Sequence, residues 1–374
     1  MRSLLTRSAP EMRGAATASR RIARRVPLHV TLGVLCVWSV LPFLWTVQTS
    51  VKFTRDVLAR EPVLWGYETT ANAYRAFWLG DDDINMWGVF AYIAAAGLIA
   101  AVLALVGKRM RRSWPWYCGA GAVLLVAMWR FPKIWETNDE YDFLVNSIVV
   151  TILTMLISLS IGLVAGYGLA RYSGISGAVI LIVALGFRAL PRSAFVLPYF
   201  FGATWIDDWL ESSGVGTFDF PLIDFPFIDQ LQLLDTRLVL VLALVAVNQP
   251  FTIWMFRSFF LDVPKELEEA AMMDGATRLQ AFRKVIIPVM WPAIIATGLF
   301  TMLLAYNEFL FVRVLAPTEW TLPVAIVSLT GGESSRTITE AAAAAVSITL
   351  PIVIVIILFQ KHLVKGLGAG AVKG

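Results

Sequence analysis

The sequence KELEEAAMMDGATRLQAFRKVIIP, at residues 265–288, is a polar segment between two long apolar segments. Pro264 can take the first helical position, and the glutamates that follow favour the positive N-terminal end of a helix. Gly275 can adopt the left-handed conformation that ends such a helix, and Thr277 can cap the next one. The pattern therefore predicts a hairpin of two short helices joined by a glycine turn.

The composition of the chain is that of a membrane protein. Hydrophobic residues make up 58% of its 374 residues and charged residues only 16%, whereas soluble domains average about half and about a quarter. Several apolar segments reach the roughly 20 residues with which a helix crosses a bilayer. We therefore predict an all-α polytopic membrane protein in contact with lipid. Its net charge of +4 gives no reason to expect a nucleic-acid partner.

The apolar segments predict about eight spans, and the basic residues orient them. The arginine-rich N-terminus, the run KRMRR at residues 108–112 and Arg171 are placed inside. The loop at residues 202–236 is acidic, has no lysine or arginine, and is placed outside. Both termini and the hairpin are then cytoplasmic. The predicted spans are residues 28–47, 87–107, 114–129, 143–170, 178–201, 238–260, 289–311 and 341–359.

The predicted domain organisation is one transmembrane domain, residues 28–374, after a basic cytoplasmic tail at residues 1–27. The first apolar segment is longer than a signal-peptide core and lacks an A-x-A cleavage pattern, so we interpret it as an uncleaved anchor. The hairpin lies in a cytoplasmic loop at residues 261–288, and residues 360–374 form a second basic tail.

Two further patterns concern the interior of the spans. Ser158, Gly162 and Gly166 recur at four-residue spacing, which predicts a surface that another helix approaches closely. The triplet Asn248-Gln249-Pro250 is expected to interrupt or kink the sixth span, because proline donates no backbone hydrogen bond.

Polar side chains inside spans are costly, and they tend to face a cavity or another helix. Tyrosines among them could supply aromatic faces for a sugar. The alternative is structural: Asn307 and Glu308 could tie helices together, and Arg188 could pair with Glu308. The candidates for a solute pathway are Arg188, Tyr199, Asn248, Gln249, Tyr306, Asn307 and Glu308.

The hairpin also carries a resemblance to a known family. The sequence EAAMMDG at residues 269–275, followed after nine residues by VIIP at residues 285–288, resembles the EAA loop of ABC-importer permeases. Val285 and Ile287 replace the usual isoleucine and leucine of that motif. Over residues 28–75 and 140–374 the chain resembles the carbohydrate-uptake permeases of maltose-type importers. Further matching segments are Asn146-Ser147, Gly168-Leu169-Ala170-Arg171, Asn307-Glu308-Phe309 and Gly370-Ala371-Val372-Lys373-Gly374.

The resemblance implies a six-span type I importer core, to which residues 81–138 add two helices that we expect to face lipid. It implies one half of a sugar pathway in the bacterial inner membrane. The implied partners are an ABC ATPase dimer, a second, non-identical permease and an external solute-binding protein. The residues that would contact the ATPase or shape the loop are Glu269, Ala270, Ala271, Asp274, Gly275 and Pro288.

Two other classes of protein fit less well. The chain has no G-x-x-x-x-G-K-[ST] phosphate loop, so we place ATP hydrolysis in a separate subunit. A secondary transporter driven by an ion gradient is the alternative, but it predicts an internal repeat with paired broken helices, and the sequence shows one interruption and no repeat. A membrane-embedded enzyme would need a cluster of His, Cys or carboxylate residues. We expect no metal and no cofactor.

Overall fold

The structure is a computed structural model, and it describes residues 9–371 except 62, 81–85, 110–113, 136–138, 172–173, 214–231 and 331–337. No strand occurs among these residues. The helices are α1 Ala9–Ser50, α2 Thr54–Val57, α3 Asn72–Leu79, α4 Met86–Arg109, α5 Trp114–Trp135, α6 Asp139–Arg171, α7 Ile175–Ala189, α8 Ser193–Ser212, α9 Arg237–Asp262, α10 Glu266–Met273, α11 Arg278–Ala281, a π-helical turn Phe282–Ile286, α12 Ile287–Tyr306, α13 Leu310–Leu315, α14 Leu322–Thr330 and α15 Ile338–Ala371.

Among the described residues, six helices are long and apolar enough to cross a membrane, and α7 with α8 makes a seventh if the bent pair is one span. The apolar part of α5, Gly119–Met128, is shorter than a span. An all-α membrane fold is thereby confirmed. The six are Pro27–Ser50, Gly88–Arg109, Glu140–Arg171, Arg237–Asp262, Arg278–Tyr306 and Ile338–Lys361.

The fifth predicted span is broken. It was expected as one helix at residues 178–201, but α7 and α8 meet at an angle of 101°. Pro191 is the physical reason, because it cannot continue the hydrogen-bond ladder and disfavours helical geometry in the residue before it. Leu190 is accordingly extended, with φ −72° and ψ 145°. Helix α8 then continues into the segment that was expected to be a loop at residues 202–236.

The sixth predicted span is unbroken, contrary to the interruption expected at Asn248-Gln249-Pro250. Helix α9 runs through Pro250 from Arg237 to Asp262. Next to Pro250, the Thr252 hydroxyl donates a hydrogen bond to the Gln249 carbonyl at 3.0 Å. The neighbouring α6 packs against this part of α9, and the Gln249 amide donates to the Ser158 carbonyl of α6 at 3.5 Å. A packed neighbour of this kind is what lets membrane helices tolerate proline.

Helix α9 packs on α6 through the predicted stripe of small residues. A Cβ added to Gly162 would lie 2.8 Å from Thr252 Oγ1, and one added to Gly166 would lie 2.7 Å from Phe256 Cβ. Backbones this close require glycine, which confirms the packed surface. Helix α12 joins the same core, where Ile286 and Met290 are buried with Phe256.

The seventh predicted span also has different limits. It was expected at residues 289–311, but α12 ends at Tyr306 and a short break leads to α13. At its other end, a continuous helical path runs back through the π-helical turn to Arg278. The hairpin is therefore directly continuous with this span.

Helices α4 and α5 lie within the predicted insertion at residues 81–138 and pack on each other. The Tyr92 hydroxyl donates to the Ala127 carbonyl at 2.8 Å. Tyr141 of α6 holds α5, because its hydroxyl donates to the Met128 carbonyl at 2.5 Å and its ring stacks on Phe131 with centroids 5.1 Å apart. Most large side chains of α4 are exposed, as expected for helices that face lipid.

The chain divides into two compact units, Met1–Ala73 with Thr337–Val346, and Tyr74–Arg336 with Ser347–Gly374. In the first unit, the loop after α1 is held by Lys52, which is 6% exposed. Its ammonium group donates to the Val63 carbonyl at 2.6 Å and lies 4.5 Å from the Tyr67 ring centroid. The hairpin and the cavity described below belong to the second unit.

Candidate functional site

The hairpin folds as two helices around a left-handed glycine. Gly275 has a φ of 88°, and its N–H donates to the Met272 carbonyl at 3.0 Å, which ends α10. Thr277 caps α11 in a capping box: its hydroxyl accepts from Gln280 N at 3.3 Å, and Gln280 Oε1 accepts from Thr277 N at 2.9 Å. Both predicted helices are present. Pro264 lies before the Lys265 N-cap of α10, and not at the first helical position as expected.

A buried glutamate fastens this hairpin to the span before it. Glu268 is only 9% exposed, and its carboxylate accepts from the Tyr167 hydroxyl and from Arg171 Nε at 3.2 Å, both on α6. The Arg171 guanidinium also donates to the Val263 carbonyl at 3.3 Å, just after α9. One ion pair therefore connects α6, the end of α9 and α10. We call these three residues, Tyr167, Arg171 and Glu268, the hairpin clamp.

Aromatic packing reinforces the hairpin clamp. Tyr167 lies with its ring centroid 4.6 Å from that of Phe282 and 5.4 Å from that of Phe260. Phe260 and Ile286 are fully buried. The root of the hairpin is thus a packed junction with the ends of α6 and α9 and the start of α12.

The other side of the hairpin is open. Of the predicted ATPase-contact residues, Ala271 is half-buried and the rest are exposed. Apolar side chains lie beside them, with Met273 88% and Leu279 58% exposed. Small, acidic and apolar groups are therefore exposed together on this side of the hairpin. The exposed predicted residues are Glu269, Ala270, Asp274, Gly275 and Pro288.

The second candidate feature is a cavity of about 660 Å³ between α7, the start of α8 and the middle of α9. Three of the seven predicted pathway residues, Arg188, Tyr199 and Gln249, line it. Arg192, which was not among the candidates, lines it as well. The bend at Pro191 brings these groups together, because it turns α8 across the end of α7.

The other predicted pathway residues lie outside the lining of this cavity. Asn248 is 1% exposed inside the core. The Tyr306 hydroxyl donates to the Ile348 carbonyl at 3.0 Å, and the Asn307 amide donates to the Leu303 carbonyl at 2.9 Å. None of these residues lines the cavity, and neither does Glu308.

The alternative in which Arg188 pairs with Glu308 is not what the structure shows. Arg192 takes that place, with Nη1 2.5 Å from Glu308 Oε2. The Arg188 guanidinium instead lies over the Phe251 ring, 4.7 Å from its centroid. Sequence reasoning missed Arg192 because the bend at Pro191, and not helical spacing, directs it towards the break between α12 and α13.

Several spans, a cavity between helices and a clamped hairpin between two spans are features expected of a membrane transport protein. Comparison with known families gives the particular kind. The chain belongs to the family described as the binding-protein-dependent transport system inner membrane component, whose model matches residues 158–368. It is thus a multi-pass permease of the bacterial inner membrane, and the members of this family are transport components and not themselves enzymes.

Several relatives carry names of sugar transport systems. The chain is 32% identical to the trehalose/maltose transport system permease protein MalG of Thermococcus litoralis, over 62% of this chain and 75% of the relative. It is also 32% identical to the trehalose transport system permease protein SugB of Mycobacterium tuberculosis, over 62% and 76%. The diacetylchitobiose uptake system permease protein DasC of Streptomyces coelicolor is 30% identical, over 65% and 80%.

One solved structure is similar across nearly the whole fold. It is a bacterial ABC transporter involved in the import of the acidic polysaccharide alginate, with a TM-score of 0.56 and 19% identity over 92% of this chain and 97% of that chain. At this identity the likeness concerns the fold alone.

Proposed function

We propose that this chain is one permease subunit of an ATP-driven importer and forms half of the pathway for a sugar or related polar solute. An external solute-binding protein delivers the solute, a separate ABC ATPase dimer supplies the energy, and a second, non-identical permease completes the pathway. The observation that carries this proposal is the hairpin, which is exposed at its tip, clamped at its root and continuous with α12. The sugar-transport names of the relatives support the solute class.

The hairpin is the coupling element in this proposal. Its exposed tip at Glu269, Ala270 and Gly275 enters a surface cleft of the ATPase. When the cleft moves, the displacement passes along two rigid connections. One is the continuous helical path from Arg278 into α12, and the other is the ion pair from Glu268 to Arg171 of α6.

The cavity is the part of the pathway that this subunit contributes. Tyr199 and the neighbouring phenylalanines offer ring faces for a sugar, and the Gln249 amide can bind hydroxyl groups. The wall formed by α7 carries exposed apolar side chains such as Ile182 and Val183. We assign that open side to the second permease.

The coupling role of the hairpin is tested with Gly275→Val in the complete transport system. A β-branched residue at a φ of 88° costs roughly 1–3 kcal/mol and reshapes the turn. ATP-dependent uptake and solute-stimulated ATPase activity should fall about tenfold or more, while membrane insertion is retained. Gly202→Val is the matched control, because an added Cβ meets nothing within 4 Å there, and it should transport normally.

Unchanged uptake with Gly275→Val would contradict a coupling role. Uptake that a protonophore abolishes while ATP is maintained would favour the ion-gradient transporter instead.

A further inference from the structure

Arg188 lies in the last turn of α7, at the bend that leads to α8, and the described residues give it no anionic partner. Ala189 ends α7, so Arg188 lies about 20 Å along the helix from Ile175, at roughly 1.5 Å per residue. Phe251, on which its guanidinium rests, is near the middle of α9. Among the described residues, no carboxylate lies within ion-pair distance of Arg188.

The cavity beside it carries an excess of positive charge. Arg188 and Arg192 line the wall, and no aspartate or glutamate does. Glu308 lies behind the wall and is engaged with Arg192 at 2.5 Å. The Phe251 ring face attracts a cation, but it accepts none of the directed hydrogen bonds that a guanidinium offers. Arg188 therefore retains donors that can bind a ligand in the cavity.

Arg188 lies in the bent pair of α7 and α8 that is the seventh candidate span. An arginine inside a span is costly, and ionisable residues there mark pathways for substrates or ions. An anionic group arriving with the solute would offset that cost, since arginine binds carboxylate and phosphate groups with paired hydrogen bonds. The rest of the wall suits a sugar, because it combines the aromatic rings of Phe187, Phe195 and Tyr199 with the Gln249 amide. The volume of about 660 Å³ lies within the usual range of small-molecule sites.

We propose that the cavity takes an anionic saccharide, one that carries a carboxylate, sulfonate or phosphate group, and that Arg188 binds this group. Arg192 is neutralised by Glu308, so the net positive charge of the wall comes from Arg188. The inference rests on the proposed function, in which this chain forms half of a sugar pathway.

The experiment uses the complete system in membrane vesicles and measures uptake of saccharide pairs that differ only in charge. The pairs are cellobiose with cellobiouronate, trehalose with trehalose 6-phosphate, and glucosylglycerol with sulfoquinovosylglycerol. At least one anionic member should be imported about tenfold better than its neutral counterpart. Arg188→Gln should remove that preference, and Arg188→Lys, which keeps the charge but not the paired donors, should restore part of it.

Arg313→Gln is the matched control. The Arg313 guanidinium also lies over an aromatic ring, 4.9 Å from the Trp320 centroid, but it does not line the cavity. This variant should keep the wild-type ratio of anionic to neutral uptake.

Three results would contradict the inference in different ways. A preference for the neutral members that Arg188→Gln does not change would overturn it and leave the proposed function intact. Equal loss of both members, with less of the second permease co-purifying, would mean that Arg188 pairs with a carboxylate of that subunit. Absence of ATP-dependent uptake for every pair would contradict the proposed function itself.

Discussion

At the scale of single residues, two neighbouring glutamates of the hairpin have different roles because only one of them is buried. Glu268 and Glu269 are adjacent in sequence, yet Glu268 is 9% exposed and Glu269 is exposed. Adjacent residues on a helix point in directions about 100° apart, so only one of them can face α6. The buried member stabilises the root of the hairpin, and its neighbour remains available to a partner protein.

Replacing Glu268 should loosen the hairpin. Glu268→Ala leaves the Arg171 guanidinium without its carboxylate, and breaking a buried ion pair in this way costs about 3–5 kcal/mol. The lower end of this range applies, because the side chains of Arg171 and Glu268 remain 15% and 11% exposed. We expect faster backbone hydrogen exchange across residues 264–288, measured by mass spectrometry. Glu266→Ala is the control, since it removes an exposed first-turn glutamate of the same helix. Equal exchange in the two variants would contradict the clamp.

The residues that sequence alone could place are those governed by local rules. Gly275 and Thr277 were predicted correctly because a left-handed turn and a helix cap depend on neighbouring positions. The role of Glu268 could not be predicted in this way, because its partner Arg171 is 97 residues away. The adjacent pair of glutamates and the arginine that closes the fourth predicted span were the available signals.

At the scale of helices, the contact between α6 and α9 depends on the absence of side chains. Gly162 and Gly166 lie against Thr252 and Phe256 at distances that leave no room for a methyl group. Hydrocarbon tails are as apolar as the helices, so close van der Waals packing of this kind is what associates helices in a membrane. The stripe could be predicted from its spacing, whereas its partner helix could not.

Two glycines of α6 should respond oppositely to the same substitution. A Cβ at position 166 would lie 2.9 Å from the Arg257 backbone nitrogen, which cannot move aside, so Gly166→Ala should cost about 1–3 kcal/mol through overpacking. Gly168 has nothing within 4 Å, and Gly168→Ala should stabilise α6 by roughly 0.5–1 kcal/mol. Thermal unfolding of the detergent-solubilised protein measures both. A similar drop in the unfolding temperature for the two variants would contradict the packing described for this stripe.

The two proline positions show why helix continuity was only partly predictable. Pro191 breaks the chain between α7 and α8, while Pro250 lies inside the unbroken α9. Both residues remove a backbone donor, but α9 packs closely on α6 just after Pro250, at Thr252 and Phe256. The local sequence shows that a donor is missing, but it does not show which helix lies alongside. The interruption was therefore expected in the sixth span, whereas the structure has it in the fifth.

At the scale of the whole molecule, six of the eight predicted spans overlap long apolar helices, because hydropathy and length are summed over many residues. The third predicted span is too short among the described residues, and the fifth is bent. The insertion at α4 and α5 joins the remaining helices chiefly at the start of α6, through Tyr141. The family match at residues 158–368 begins after it. The cavity and the hairpin lie on later helices, so neither of them contains residues of the insertion.

Removal of the insertion should therefore leave transport intact. A variant in which a flexible Gly/Ser linker replaces residues 81–138 loses the contacts of Tyr141 with Met128 and Phe131, but it keeps the packing of α6 on α9 and the hairpin clamp. We expect ATP-dependent uptake and co-purification of the ATPase to persist, with a lower unfolding temperature because α6 loses a packing partner. Tyr141→Phe is the matched point variant, since it removes the hydrogen bond to α5 and retains the ring stack. Loss of uptake in the deletion variant, while the complex still assembles, would assign the insertion a direct part in transport.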